Sequence, residues 1–389
     1  MTPLNHSLDQ HPPRISTKIL CAAALFGALS TAHADQYADT LAAVKQAVSK
    51  GKLVVYQFDE NSPIPSAPQN EPGKALKQPG WLVVLNNASN SRNDVNLSYA
   101  LLPDLHQGPE KRCEDNPKAI ASDGTRETAE LYTPVEAWGA LSKPSVIFNA
   151  NYFDVRDQGS STTWQSNKCS VPLGIYFDNH PVTATRNDAI TGDKYFAGPK
   201  VYLDKNGKSS IVDAFFIADG SAQPGRTDVT YNLVAGDKNA TAIVDNANNL
   251  IKSGQQFVAF SGTALIPFYT RDDVTANQPD AGTSATTRIG IAYLKGTDQL
   301  MIFEGGSYRK GITRAELAGI FNAFGAQSAL ELDGGGSAAV AVTKGAASWA
   351  GTSTTEPAGA CPGNGLICSA ITQPSGDPRP VPSWASFHF

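Results

Sequence analysis

Histidine is scarce in this chain, basic residues never cluster, and no long apolar run follows the first 34 residues. Each absence excludes something. Six histidines are present, and only His106, His180 and His388 lie beyond residue 34. Their spacing fits no usual zinc ligand set, so neither a metal nor a cofactor is expected. Without a run of Lys or Arg the electrostatic footprint of a nucleic-acid binder is missing. Nothing after residue 34 approaches the length of a membrane-spanning helix. The chain has no P-loop and no strand-anchored G-x-G-x-x-G. The run Gly335-Gly-Ser-Ala-Ala339 fails the last position of a G-x-S-x-G nucleophile elbow, and no histidine stands near it.

What is present begins with a leader. Arg14 and Lys18 precede an apolar run from Ile19 to Ser30, and Ala32-His33-Ala34 fits a small-x-small cleavage site. Residues 1–34 therefore read as a signal peptide, with export to the periplasm or beyond and cleavage near Ala34. Losing Arg14, Lys18 and Asp9 takes the basic count from 31 to 29 and the acidic count from 36 to 35, a net charge of −6. Of the five cysteines, Cys21 lies in the leader and four remain: Cys113, Cys169, Cys361 and Cys368. An even count in an exported protein favours disulfides. The preferred pairing is Cys113–Cys169 and Cys361–Cys368, because Cys-Pro-Gly-Asn-Gly-Leu-Ile-Cys carries turn residues that let it close on itself.

Taken in order, Gln36–Lys50 reads as a helix, and Leu53–Phe58 and Trp81–Leu85 as strands separated by an irregular excursion over 61–80. Thr133-Pro134-Val135-Glu136 is a capped helix start. Ser145–Phe153 reads as a strand that puts Asn149 and Asn151 on one face; if buried, these amides bind backbone or line a polar pocket. Strands are expected at Leu173–Phe177, Val201–Leu203, Phe215–Ala218, Asn232–Val244, Gln256–Ser261, Thr286–Tyr293 and Met301–Phe303. Thr313 and Glu316 form a capping box ahead of Leu317, Ile320, Phe321 and Phe324, and Gly325 stands where the helix should end. Short strands outnumber helices and do not alternate with them. That predicts an α+β fold, with a mixed, largely antiparallel sheet and a few packed helices.

The chemistry concentrates in Leu332-Asp-Gly-Gly-Gly-Ser337, directly after a short apolar strand. Three successive glycines lose much conformational entropy on folding, so the backbone there must turn sharply or approach something closely. Amides exposed in such a turn make an anion-binding concavity. The bland alternative is a tight turn whose Asp caps its own amides. Arg288, beside small Gly290 and Ala292, reads either as an edge residue or as an anion anchor with room for a ligand. The acids, amides, arginine and glycine turns together fit hydrolysis or binding of a sugar that carries a negative group.

The blocks Asn149-Ala-Asn-Tyr-Phe153, Thr287-Arg-Ile-Gly-Ile291, Gly311-Ile-Thr-Arg-Ala-Glu-Leu-Ala318 and Leu332-Asp-Gly-Gly-Gly-Ser337 resemble those of the phosphodiester glycosidase family, over roughly residues 130–389. Asn151 stands where relatives more often carry a small residue, and Glu304-Gly305 where Asp-Gly is usual. The resemblance implies a catalytic domain over 130–389; the N-terminal region, 35–129, has no counterpart in it and is expected to pack on that domain. It also implies an exported hydrolase that cuts a sugar-1-phosphodiester on the sugar side. On that footing Arg288 is expected to hold the phosphate in its planar fork, helped by Gly334, Gly335, Gly336 and Ser337. Asp333 and Glu304 are the candidate nucleophile or base, Asn149 and Asn151 the substrate contacts, and Glu331 structural. The rival from another class is a non-catalytic periplasmic module that binds phosphorylated glycan or serves exopolysaccharide assembly.

Overall fold

The computed structural model describes residues 36–69, 71–90, 129–154, 241–267, 285–307, 311–357 and 379–387, and shorter pieces at 98–99, 169–172, 174–178, 196–197, 201–203, 209–211, 213–219, 228–236, 361 and 365–369. The leader and Cys113 lie outside these residues. The fold is α+β. Its frame is a large sheet whose neighbouring strands are Phe196–Ala197, Gly174–Asp178, Phe257–Ile266, Ser328–Glu331, Arg288–Leu294, Gln299–Gly305, Gly80–Asn86, Leu53–Phe58 and Ser348–Gly351. Asp213–Asp219 also pairs with Phe257–Ile266 and carries Val229–Val234 on its far side. Only the contact of Leu53–Phe58 with Ser348–Gly351 is parallel within this sheet, among the described residues. A second sheet runs Leu366–Cys368, Val340–Thr343, Val146–Asn149, Trp384–Phe387, Ser98–Tyr99.

Period-two alternation divides the large sheet into two faces. Val55, Val83, Ile289, Ile291, Ile302 and Leu330 bury against Val146, Phe148, Val340 and Phe387 of the second sheet. Leu82, Val84, Ala292, Met301 and Phe303 point the other way, onto helix 36–48 through Val44 and Val48 and onto helix Arg314–Phe324 through Leu317, Ile320 and Phe321. The outer face of the second sheet is closed by helix Pro134–Ala140 and by Trp384. Both predicted capping boxes form, with Thr133 and Thr313 accepting from the amides of Glu136 and Glu316, and Gly325 ends its helix at φ +90°.

Three sequence expectations need correction. The excursion over 61–80 contains a hairpin, Ile64–Ser66 with Lys74–Leu76. It is ordered by tertiary contact: Ile64 is fully buried, Ala67 N–H donates to Gly319 O (2.9 Å), and Ser66 Oγ donates to Glu316 O (3.0 Å). The strand expected through Val244 ends at Val234, and Thr241–Lys252 is a helix. Ile243, Ala247, Leu250 and Ile251 supply a helical stripe that a shorter window hides. The Ser145–Phe153 strand stops at Asn149. Beyond it the Ala150 amide donates to Ser383 O and its carbonyl accepts from the Asp333 amide, so the backbone that follows the strand is tied to the Asp333 turn.

Cys361 and Cys368 form a disulfide, Cα–Cα 5.2 Å, as their spacing predicted. Of the other pair, Cys169 begins strand Cys169–Pro172. No helix among the described residues is long and apolar enough to cross a membrane.

Candidate active site

Strand Ser328–Glu331 is flanked by Phe257–Ile266 and Arg288–Leu294, so it leaves the sheet near its middle. The chain then makes the Asp-Gly-Gly-Gly-Ser turn, in which each glycine has different surroundings. A Cβ on Gly334 would sit 2.9 Å from Thr287 O. Gly335 adopts φ +61°, which side chains disfavour, and its amide donates to Thr287 O (2.7 Å). A Cβ on Gly336 would lie 2.8 Å from a terminal nitrogen of the Arg379 guanidinium and 3.0 Å from its Cζ. Ser337 N–H donates back to Gly334 O (3.2 Å), while the amides of Gly334 and Gly336 carry no hydrogen bond among the described residues.

Asn149 clamps this turn at both ends. Its Nδ2 donates to Asp333 O (2.6 Å) and its Oδ1 accepts from Ala339 N–H (2.9 Å), while its backbone amide donates to Ala339 O (3.1 Å). The buried amide expected to touch substrate is thus engaged with backbone. Asn151 is equally buried and donates through Nδ2 to Ile175 O (2.8 Å). Glu304 is fully buried on the sandwich side. Its Oε2 accepts from Val340 N–H (3.0 Å) and from the Ser369 hydroxyl, and so fixes the chain just past the turn.

Arg288 is expected at the phosphate. It lies 4% exposed on the helix side of the sheet, with Nε donating to Ile312 O (2.9 Å) and Nη1 paired with Glu331. The other oxygen of Glu331 is taken by Arg314 Nε. The surface-edge reading of Arg288 therefore does not hold. Burial works to raise the Glu331 carboxyl, but the two guanidiniums overcome it and hold the group below the usual carboxylate range. Tyr152 approaches the same cluster through Thr263 Oγ1 (3.5 Å), and burial pushes its phenol well up.

Asp333 behaves in the opposite way. Burial pushes its carboxyl up to about 7, against the Ser337 hydroxyl and the Arg379 cation, which pull down. Its Oδ2 is shut off from solvent and has no hydrogen-bond partner among the described residues. A carboxyl that titrates near neutrality, next to a hydroxyl and two uncommitted amides, is equipped to exchange a proton with a bound ligand or to attack it. Asp333, Ser337 and the three glycines are thus brought together, and Glu304 binds Val340 and Ser369 just past the turn. Among the described residues no group of three or more His, Cys, Asp or Glu side chains is placed to hold a metal ion.

Sequence reasoning missed two residues here. Arg379 drew notice only as the start of a last strand, although a cation set before Pro380 and Pro382 stands on stiff backbone. Arg314 opens a helix, where the macrodipole disfavours a cation, so a compensating acid elsewhere could have been suspected.

The chain belongs to the phosphodiester glycosidase family, whose pattern matches residues 143–384. Among solved structures it is similar to the zebrafish N-acetylglucosamine-1-phosphodiester alpha-N-acetylglucosaminidase catalytic domain auto-inhibited by its pro-peptide. That pair shares 16% identity at TM-score 0.41, over 87% of this chain and 89% of that one. A Burkholderia pseudomallei protein described as exported shares 12% identity at TM-score 0.43, covering 82% of this chain and 78% of the other. No curated protein matches the sequence.

Proposed function

We propose that the protein is an exported hydrolase that breaks the bond between the anomeric carbon of a sugar and the oxygen of a phosphodiester. The observation that carries this reading is the Asp333 carboxyl, raised to about 7 and only partly partnered, at the mouth of a turn with uncommitted amides. Family membership supports the choice of bond. In the reaction the C1–O bond breaks with its electron pair going to the phosphate oxygen, and a phosphomonoester departs. The oxygen of water ends on C1. Its proton passes to the Asp333 carboxylate, directly or after that carboxylate has itself bonded to C1, and then to solvent or product. The turn's amides and the Ser337 hydroxyl stabilise charge growing on the leaving phosphate. Glu304 and Asn149 hold the turn in place.

Both routes need Asp333 ionised, so kcat/KM should rise with pH through about 7. The test is to incubate the purified chain with nucleotide sugars and other sugar-1-phosphodiesters, N-acetylglucosamine derivatives included, and assay free sugar and phosphomonoester. No turnover on any of them, with saturable binding retained, would replace this reading with that of a glycan-binding module.

A further inference from the structure

We infer that Arg379, rather than Arg288, receives the phosphate of the substrate, with its guanidinium seated against Gly336. The inference rests on the reading of the Asp333 turn as the reacting end of the site. Among the described residues, three arginines stand at this end of the sheet. Arg288 and Arg314 are 4% and 3% exposed and share one carboxylate, that of Glu331. Moving either onto a ligand would leave a buried acid short of a partner, which is costly. Arg379 is half-buried and lies against the turn itself, its Cζ 3.0 Å from the position a Cβ on Gly336 would take.

Its backbone is also held. Tyr132 and Val381 exchange both backbone hydrogen bonds (3.0 and 2.9 Å), and prolines stand at 380 and 382. Strand Trp384–Phe387 then pairs Trp384 with Asn149, the residue that clamps the turn. Asp333, Ser337 and Arg379 therefore belong to one rigid frame. A planar guanidinium beside a hydroxyl and the amides of Gly334 and Gly336 offers donors to both non-bridging oxygens of a phosphodiester. The same cation acts on Asp333, so an anion that offsets its charge favours protonation of that carboxyl. Phosphate binding and proton uptake are thereby linked, and phosphate should bind more weakly as pH rises through the Asp333 range.

Two measurements test this on the full chain. Inorganic phosphate titrated calorimetrically at pH 6 should bind the wild type, and Arg379→Gln should weaken it at least about tenfold. Gly336→Ala should do the same by displacing the guanidinium, and Arg379→Lys should recover only part of the loss. If Arg379→Gln fails to fold, the other two variants read the same contact. In kinetics, Arg379→Gln should raise KM for UDP-N-acetylglucosamine but not for p-nitrophenyl N-acetylglucosaminide, and should move the pH limb upward. Unchanged phosphate affinity in Arg379→Gln and Gly336→Ala, or a wild type that binds no phosphate, overturns the inference. Phosphate binding lost with Arg379 in a chain that hydrolyses no diester keeps the inference and removes the hydrolase reading. Turnover with unchanged KM in Arg379→Gln does the reverse.

Discussion

Glu331 and Asp333 stand two residues apart where one strand leaves the sheet, and their surroundings drive them in opposite directions. Glu331 still lies within the sheet, where its carboxylate meets Arg288 and Arg314 and is held ionised. Asp333 is past the last strand residue, on a turn where burial outweighs the pull of the Arg379 cation, and its carboxyl rises to about 7. Both are largely removed from water, so burial alone does not separate them. What separates them is how completely their oxygens are satisfied. A saturated acid cross-links a fold, whereas an acid left with a bare oxygen has capacity for a ligand.

The comparison can be broken by exchange. Asp333→Asn should lower kcat by about 10² to 10⁴-fold with the fold intact, since it removes proton transfer while keeping shape; near-normal turnover would reduce Asp333 to a turn cap. Glu331→Gln should instead cost about 3–5 kcal/mol of stability in urea unfolding, because two buried guanidiniums lose their counter-charge. A loss under about 1 kcal/mol would mean that water or a rearranged partner replaces it.

pH separates the two acids further. Asp333 has a raised folded pKa, so between about 4, where the unfolded chain ionises, and about 7 its contribution to stability falls as pH rises. Asp333→Asn should therefore stabilise the protein at pH 8 and change little at pH 4. Glu331 has a lowered folded pKa. Its stabilisation is present above its ordinary range and is lost as pH falls through the folded value. Unfolding curves of the two variants across pH should thus slope in opposite senses relative to wild type. The smallest effect lies away from both acids: Thr313→Ala removes a helix cap and should cost about 1 kcal/mol with turnover unchanged.

Local chemistry was legible wherever it is local. The capping boxes at Thr133 and Thr313, the helix end at Gly325, and strands such as Leu53–Phe58 follow from neighbours in sequence. The Asp-Gly-Gly-Gly-Ser turn was legible as well, since three glycines demand a cause. Those causes were not legible, because Thr287 and Arg379 are 47 and 43 residues from Gly334 and Gly336. Asn149 was singled out as an amide that, if buried, binds backbone or lines a pocket, and only the fold showed that it is buried with Asp333 O and Ala339 N–H as partners. The hairpin at Ile64–Ser66 escaped notice because helix Arg314–Phe324, not its own pattern, orders it.

By itself the sequence determined the α+β class, the periodicities that decide which faces are buried, the disulfide loop at Cys361–Cys368, and the acid–glycine turn as the centre of interest. These depend on residues within a few positions of one another, where backbone geometry alone sets what meets what. Tertiary structure alone decided which acid is neutralised. Glu331 and Asp333 differ little in local sequence, and their fates turn on where arginines from three distant segments arrive: 288 and 314 at the first, 379 at the second. A charge's worth depends on its distance to others and on the water excluded between them, and neither is written in the order of the residues.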